Sequence, residues 1–289
     1  MDKKVKVAAL SILSNSLLIL MKLFIGVISG SVSILSEAIH SSMDLLASIM
    51  AYFAVRISSK EPDKMHPYGH GKFENISGVM EGFLIFIAAI WIIYEAVQKL
   101  IHPTTIINHA LAMGVMFLSA LVNLFVSRRI YKVAKETNSI ALEADALHLK
   151  TDVYTSLGVG IGILFIWVSG LTIFDPIFAI AVSFLIIKEA YDLVRRAFNP
   201  LLDARIDQEK LDDFNAILEA KIPEGTCYSQ LRVRLNGAKY ILDFVLTVPP
   251  KMTVEESHSI CDVLETAIHE KYDEADIKIH VEPQKITDA

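Results

Sequence analysis

Hydrophobic residues gather into six long runs, at about 5–28, 32–57, 76–101, 107–131, 143–169 and 174–195. Each is near or above the roughly 20 residues a helix needs to cross the hydrocarbon core of a bilayer. The pattern predicts six membrane-spanning helices. After about residue 199 it changes. Residues 206–222 have the spacing of an amphipathic helix, and 228–235 and 239–248 alternate as strands. The strands meet at Asn236-Gly237, a strong hairpin signal. Residues 253–272 predict another helix and 275–282 a last strand. The expected architecture is a polytopic α-helical membrane domain over 1–199, then an α+β domain of order αββαβ over 200–289. Its helices cover one face of the sheet, and the other face is a natural dimer surface.

The positive charges orient the spans. Lys3, Lys4 and Lys6 precede the first. Arg56, Lys60, Lys64 and Lys72 lie between the second and third, and Arg128, Arg129, Lys132 and Lys135 between the fourth and fifth. Arg195, Arg196 and Arg205 follow the sixth. The loops around 29–31, 102–106 and 170–173 carry no Lys or Arg. Basic loops stay on the cytosolic side, so both termini are expected there. The first run is too long for the apolar core of a cleaved leader and reads as a span.

Two polar stretches interrupt the spans, and they are near copies. One reads Glu37-Ala-Ile-His40-Ser-Ser-Met-Asp44, the other Asp145-Ala-Leu-His148-Leu-Lys-Thr-Asp152. The spacing sets each acid, His and Asp on one helix face. Ionisable groups inside a span are costly and tend to mark an ion path. The second span runs inward and the fifth outward, so the pairs meet head to tail near the midplane, as in inverted-repeat transporters. His40, Asp44, His148 and Asp152 then form a four-ligand set for a divalent transition metal. The alternative is that each pair is a local contact tethering neighbouring spans. Glu37 and Asp145 lie farther out and read as access-path or helix-end groups, or as groups that back the ligands. Asn15 and Asn123 are expected to hydrogen-bond between helices, Lys22 to snorkel or pair with an acid, and Lys150 to face away from His148 and Asp152. Glu81, nearer the cytosolic end of the third span, is a further candidate for an ion path.

The loop at 59–75 holds Asp63, His66 and His70, with Pro67 and Gly69 to break any helix. That set suits zinc. It can equally be an exposed loop that happens to hold two His.

Composition narrows the function classes. Of 289 residues, 53% are hydrophobic and 21% charged. The net charge of −6 argues against a nucleic-acid binder. Two cysteines are too few for a disulfide framework and read as reduced thiols. The chain shows no Gly-rich phosphate loop, nucleophile elbow or HExxH, so nothing in it points to an enzyme.

The paired HxxxD motifs, the loop DKMHPYGHGKFE and the αββαβ tail together resemble the cation diffusion facilitator family over essentially the whole length. The resemblance implies a homodimeric, proton-coupled exporter of divalent metal in the cell membrane. It implies six spans per subunit and a ferredoxin-like, metallochaperone-like cytosolic domain. By position, His40, Asp44, His148 and Asp152 match the transport site, and Asp63, His66 and His70 a second zinc site. Lys72 and Asp203 match a salt bridge at the membrane–cytosol junction, the expected hinge. In the tail, His258, His280 and Glu282 match ligand positions, but Ser229 and Val245 stand where other members carry further ligands. The tail therefore either binds a single ion or dimerises without metal.

The two His and two Asp suit Zn²⁺, and within the family His at position 40 points to zinc, with Co²⁺ or Cd²⁺ as lesser substrates. Zinc is expected as substrate and as a structural or regulatory ion, with no other cofactor. The rival reading is a membrane-anchored zinc sensor or structural dimer that does not transport.

Overall fold

The computed structural model describes residues 3–29, 32–101, 109–169 and 173–285; the side chains of Glu37 and His40 are outside the described ones. The chain divides into two compact units, Met1–Phe198 and Asn199–Ala289.

The first unit is all helix: α1 (Lys3–Ser29), α2 (Val32–Ser58), α3 (Lys72–Ile101), α4 (His109–Glu136), α5 (Ile140–Ser169) and α6 (Phe174–Phe198). Among the described residues, Lys3–Ile25 and Lys72–Gln98 are on length and hydropathy alone able to cross a membrane. The burial pattern is inverted from that of a water-soluble bundle. Leu13, Leu17, Leu20 and Phe24 on α1, and Phe83, Ile87, Ile90 and Trp91 on α3, face outward. Ser11, Asn15, Asp44, Ser48, Glu81, Asp145 and His148 are buried. Large apolar side chains outside and ionisable ones inside suit a surround of lipid, because a soluble protein seldom buries several ionisable groups while exposing its large apolar ones.

Two apolar clusters organise the bundle. Val5, Ala8, Val55, Val126, Ile130, Leu142 and Leu149 join α1, α2, α4 and α5. Ile85, Ala89, Ala144, Ile186, Ala190 and Leu193 join α3, α5 and α6. Helix α5 belongs to both, which is why Ala141, Leu142, Ala144, Asp145, Ala146 and Leu149 are all buried. Small residues let α3 and α6 approach closely: a Cβ on Gly82 would lie 2.5 Å from Cγ2 of Val194.

The second unit begins with a short 3-10 turn at Asn199–Leu202, then α7 (Gln208–Lys221), β1 (Cys227–Asn236), β2 (Lys239–Val248), α8 (Val254–His269) and β3 (Asp276–Pro283). The strand order is β1-β2-β3. β1 and β2 are antiparallel, and Gly237 takes φ +62° in their turn. β3 lies parallel to β2, so α8 is the crossover that a parallel pair requires. A capping box between Thr253 and Glu256 starts α8. Phe214 and Leu218 of α7 and Leu264 and Ile268 of α8 pack on Leu242, Phe244 and Leu246 of β2. The helices thus cover one face of the sheet, and the elements follow the αββαβ order within a few residues of the expected ends.

Candidate metal centre and relatives

The central site is built where α2 meets α5. The turn from Asp145 to His148 to Asp152 aligns those side chains along α5, and Asp44 comes from α2. Nε2 of His148 lies 3.1 Å from Oδ1 of Asp44, and both residues are 8% exposed. Asp44, His148 and Asp152 each offer a ligand atom within 4.8 Å of the others. Asn123 of α4 reaches Oδ2 of Asp152 at 3.5 Å through its amide nitrogen. His40 lies one turn before Asp44 on α2, but its side chain is outside the described ones. Three oxygen and nitrogen ligands converging in a buried pocket, two of them carboxylates, can take up a divalent cation by neutralising its charge.

Other polar groups in the bundle find specific partners. Asn15 donates to Ser48 at 2.8 Å, tying α1 to α2. Lys150 turns away from the site and pairs with Glu189 of α6 at 3.1 Å. Lys22 is buried, and its ammonium donates to Ser41 at 2.6 Å. Asp145 is fully buried, and its Oδ1 accepts from Ser11 at 3.1 Å and Ser48 at 2.9 Å, so of its expected roles the open helix end falls away. The serines of α1 and α2 set this placement, and no single-helix pattern reveals it.

The second group, Asp63, His66 and His70, also brings its ligand atoms within 4.8 Å of one another. Oδ1 of Asp63 accepts from the backbone N–H of His66 at 2.7 Å and of Met65 at 2.8 Å, so the aspartate closes its own turn. Those donors, His66 foremost, hold the Asp63 carboxyl below the usual range and keep it ionised. Its two oxygens each lie 3.3 Å from an imidazole nitrogen, Nδ1 of His66 and Nε2 of His70. Gly69 at φ +85° lets the chain fold back so that the two imidazole rings meet at a tilt, with centroids 4.4 Å apart. Nδ1 of His70 is buried with no hydrogen-bond partner. This donor set fits a zinc ion.

In the second unit, Ser229, Val245 and His280 stand side by side across β1, β2 and β3. His280 lies 3.3 Å from Glu282 on the same strand. His258 lies on α8 and pairs with Asp262 at 3.8 Å. These three are not among the metal-binding groups formed by the described residues of one chain. Asp203 takes φ +52° and pairs with Arg234 at 3.2 Å within its own unit. Lys72 is the first residue of α3. Cys227 and Cys261 are free thiols.

Sequence reasoning missed Glu74. Although it sits in the first turn of α3, it is buried and accepts from Lys4 of α1 at 3.1 Å, Ser58 of α2 at 2.7 Å and Ser139 before α5. Glu143 likewise joins Lys135 of α4 at 3.1 Å to Arg196 of α6 at 3.2 Å. Only an acid in an early helical turn was visible beforehand, and such an acid usually serves the helix dipole.

A helical bundle with an apolar outer surface and a cluster of carboxylate and imidazole groups able to take a metal ion, followed by a separate α+β unit, suits a membrane transporter of metal ions. The relatives agree. Residues 8–202 match the cation efflux transmembrane domain and residues 206–284 the cation efflux protein cytoplasmic domain. The chain belongs to the cation efflux, or cation diffusion facilitator, family, a family of multi-pass transporters and not of enzymes. An uncharacterized transporter, sll1263, of Synechocystis is 33% identical over 89% of this chain and 83% of its own length. The manganese efflux system protein MneP of Bacillus subtilis is 28% identical over 96% of this chain and 95% of its own. The cation-efflux pump FieF of Shewanella oneidensis is 28% identical over 99% of this chain and 96% of its own.

Proposed function

We propose that this protein exports a divalent transition metal, Zn²⁺ foremost, in exchange for protons, working as a homodimer in the cell membrane with both termini in the cytosol. The observation that carries this reading is the meeting of Asp44, His148 and Asp152 inside the bundle. With His40 one turn away, the set offers two nitrogen and two oxygen ligands, the composition that suits tetrahedral Zn²⁺, with Co²⁺ and Cd²⁺ as lesser substrates. The likeness to MneP supports a second reading, manganese, which favours oxygen ligands over imidazole.

The chain's own residues supply the exchange. An imidazole offers one lone pair to either a metal or a proton, so departure of the metal frees it for protonation. The carboxylates of Asp44 and Asp152 offset the dication in a low-dielectric setting. Rocking of α3 and α6 against the other helices opens the site first to one side and then the other. Asp63, His66 and His70 would hold a zinc ion that stiffens the loop between α2 and α3. Lys72 and Asp203 form the hinge of the dimer. The tail, through the open sheet face and His258, His280 and Glu282, dimerises and regulates.

Purified protein in lipid vesicles tests the reading. Zinc flux driven by a pH gradient supports it. Zinc binding without flux means a sensor, and faster manganese than zinc flux means the second reading.

A further inference from the structure

Helix α4 turns a polar stripe toward α5. Ser119, Asn123 and Ser127 follow at intervals of four residues, so they share one helix face. All three are buried, while Phe117, Leu121 and Phe125 of the same helix are exposed. Ser127 donates to the carbonyl oxygen of Ala146 at 2.8 Å and fixes the stripe against α5.

One turn from that anchor, Asn123 is 6% exposed and its amide nitrogen lies 3.5 Å from Oδ2 of Asp152. Its amide oxygen, Oδ1, is buried with no hydrogen-bond partner among the described residues. A buried polar oxygen without a partner costs free energy. The charges beside it are the carboxylates of Asp152 and, with His148 between them, Asp44. Another oxygen next to carboxylates is favourable only where a cation comes between them. The spacing suits this. Two oxygens that share one ion at about 2.1 Å stand roughly 3–3.5 Å from each other. The 3.5 Å between the amide and Oδ2 of Asp152 is such a spacing.

We propose that Asn123 is a further ligand of the transported cation, through Oδ1, and that it opens the site to ions that take more than four ligands, Mn²⁺ among them. This rests on the metal-export reading above and deepens it. Without metal, the amide nitrogen holds Asp152. With an ion bound, the cation takes over that carboxylate, and a half-turn of the amide about its last bond brings Oδ1 to the ion. Zn²⁺ is complete with four ligands and gains little from a fifth. Mn²⁺ favours carboxylate and carbonyl oxygens in a larger shell and gains more.

The test uses wild type, Asn123→Leu and Asn123→Asp in vesicles, with Zn²⁺ flux and Mn²⁺ flux each measured over a range of concentration. Asn123→Leu keeps the side-chain volume and removes both polar ends. It is expected to raise the manganese concentration for half-maximal flux about 10-fold or more, and the zinc concentration by clearly less. Asn123→Asp returns an oxygen ligand and is expected to bring the manganese value back to the wild-type value or below it. An amide that only ties α4 to α5 would affect both metals alike, so equal shifts in Asn123→Leu overturn the proposal. An Asn123→Asp protein no better with manganese than Asn123→Leu overturns it too, as does a wild type that moves zinc but no manganese at any concentration. If Asn123→Leu does not fold, Asn123→Ala takes its place, with the same expectation and the same overturning result. A wild type that moves neither metal overturns the export reading and this inference with it; a wild type that moves both, beside equal shifts in the variant, overturns this inference alone.

Discussion

Nε2 of His148 and Oδ1 of Asp44 lie 3.1 Å apart across the contact between α5 and α2. Each belongs to a HisxxxAsp pair on its own helix, and the contact joins one pair to the other. On the proposed function, a divalent ion bound here would replace this hydrogen bond with bonds to both groups, and the helices would stay joined with or without metal.

Removing a ligand should therefore stop transport without unfolding the bundle. His40→Ala or Asp152→Ala is expected to lower zinc flux about 100-fold or more, with the dimer intact by size-exclusion chromatography. The Asp change should be at least as harmful, because it also removes charge that offsets the dication. Flux near the wild-type rate in either variant would take that residue out of the transport site.

His40→Asp should broaden selectivity toward Cd²⁺. It replaces a nitrogen ligand with a harder, charged oxygen ligand, and a larger ion tolerates looser oxygen-rich coordination. The zinc-to-cadmium flux ratio is expected to fall about 10-fold. An unchanged ratio would put selectivity in geometry outside this ligand.

Asp63 closes its own turn and is proposed to bind metal, and two substitutions divide these roles. Asp63→Asn keeps a side-chain oxygen for the N–H groups of His66 and Met65, so the turn should survive while metal affinity of the loop drops about 10-fold or more. Asp63→Ala should lose both the metal and the turn, seen as faster backbone hydrogen exchange at 63–66. The pH dependence has a definite sign. The folded loop depresses the Asp63 pKa, so its contribution to loop stability is full above the ordinary aspartate value of about 4. It is lost as pH falls through the lowered value. Equal hydrogen exchange in the Asn and Ala variants would mean that the side chain does not hold the turn.

The tail should regulate and not conduct. The proposed transport ligands all lie in the spans, where Asp44, His148 and Asp152 meet, and the tail follows the last span in the chain. His258→Ala with His280→Ala is expected to shift the zinc concentration for half-maximal flux several-fold and to keep the flux at saturating zinc. By linkage this requires tails that bind zinc differently in the two transport states. Identical titrations would make the tail a dimerisation module alone, and loss of flux at every zinc level would place it in the transport path.

Gly82 is a packing test of the bundle. A methyl group there meets the stiff, β-branched Val194 at 2.5 Å. Gly82→Ala should push α3 from α6 and cost about 1–3 kcal/mol, read as lower resistance to thermal inactivation in detergent. Unchanged resistance would mean that the two helices give way without strain.

The sequence by itself determined what depends on local period and on solvent. Apolar runs of about 20 residues made spans, because a backbone in lipid must satisfy its hydrogen bonds within a helix. The spacing of His148 and Asp152 placed them on one face. Alternating residues and Asn236-Gly237 made the β1–β2 hairpin. That Asp63, His66 and His70 can meet was legible because they are close in sequence. The tertiary structure alone decided which faces meet. Asp44 and His148 are 104 residues apart, and only the packing of α2 on α5 brings them into contact. Packing also buried Asp145 under Ser11 and Ser48, turned Lys150 to Glu189, and drew Lys4, Ser58 and Ser139 onto Glu74. A helix repeats every 3.6 residues whatever it packs against, so periodicity names a face without naming its partner. The partner follows from where small residues such as Gly78 and Gly82 let two helices approach, a property of pairs of helices that no single stretch of chain records.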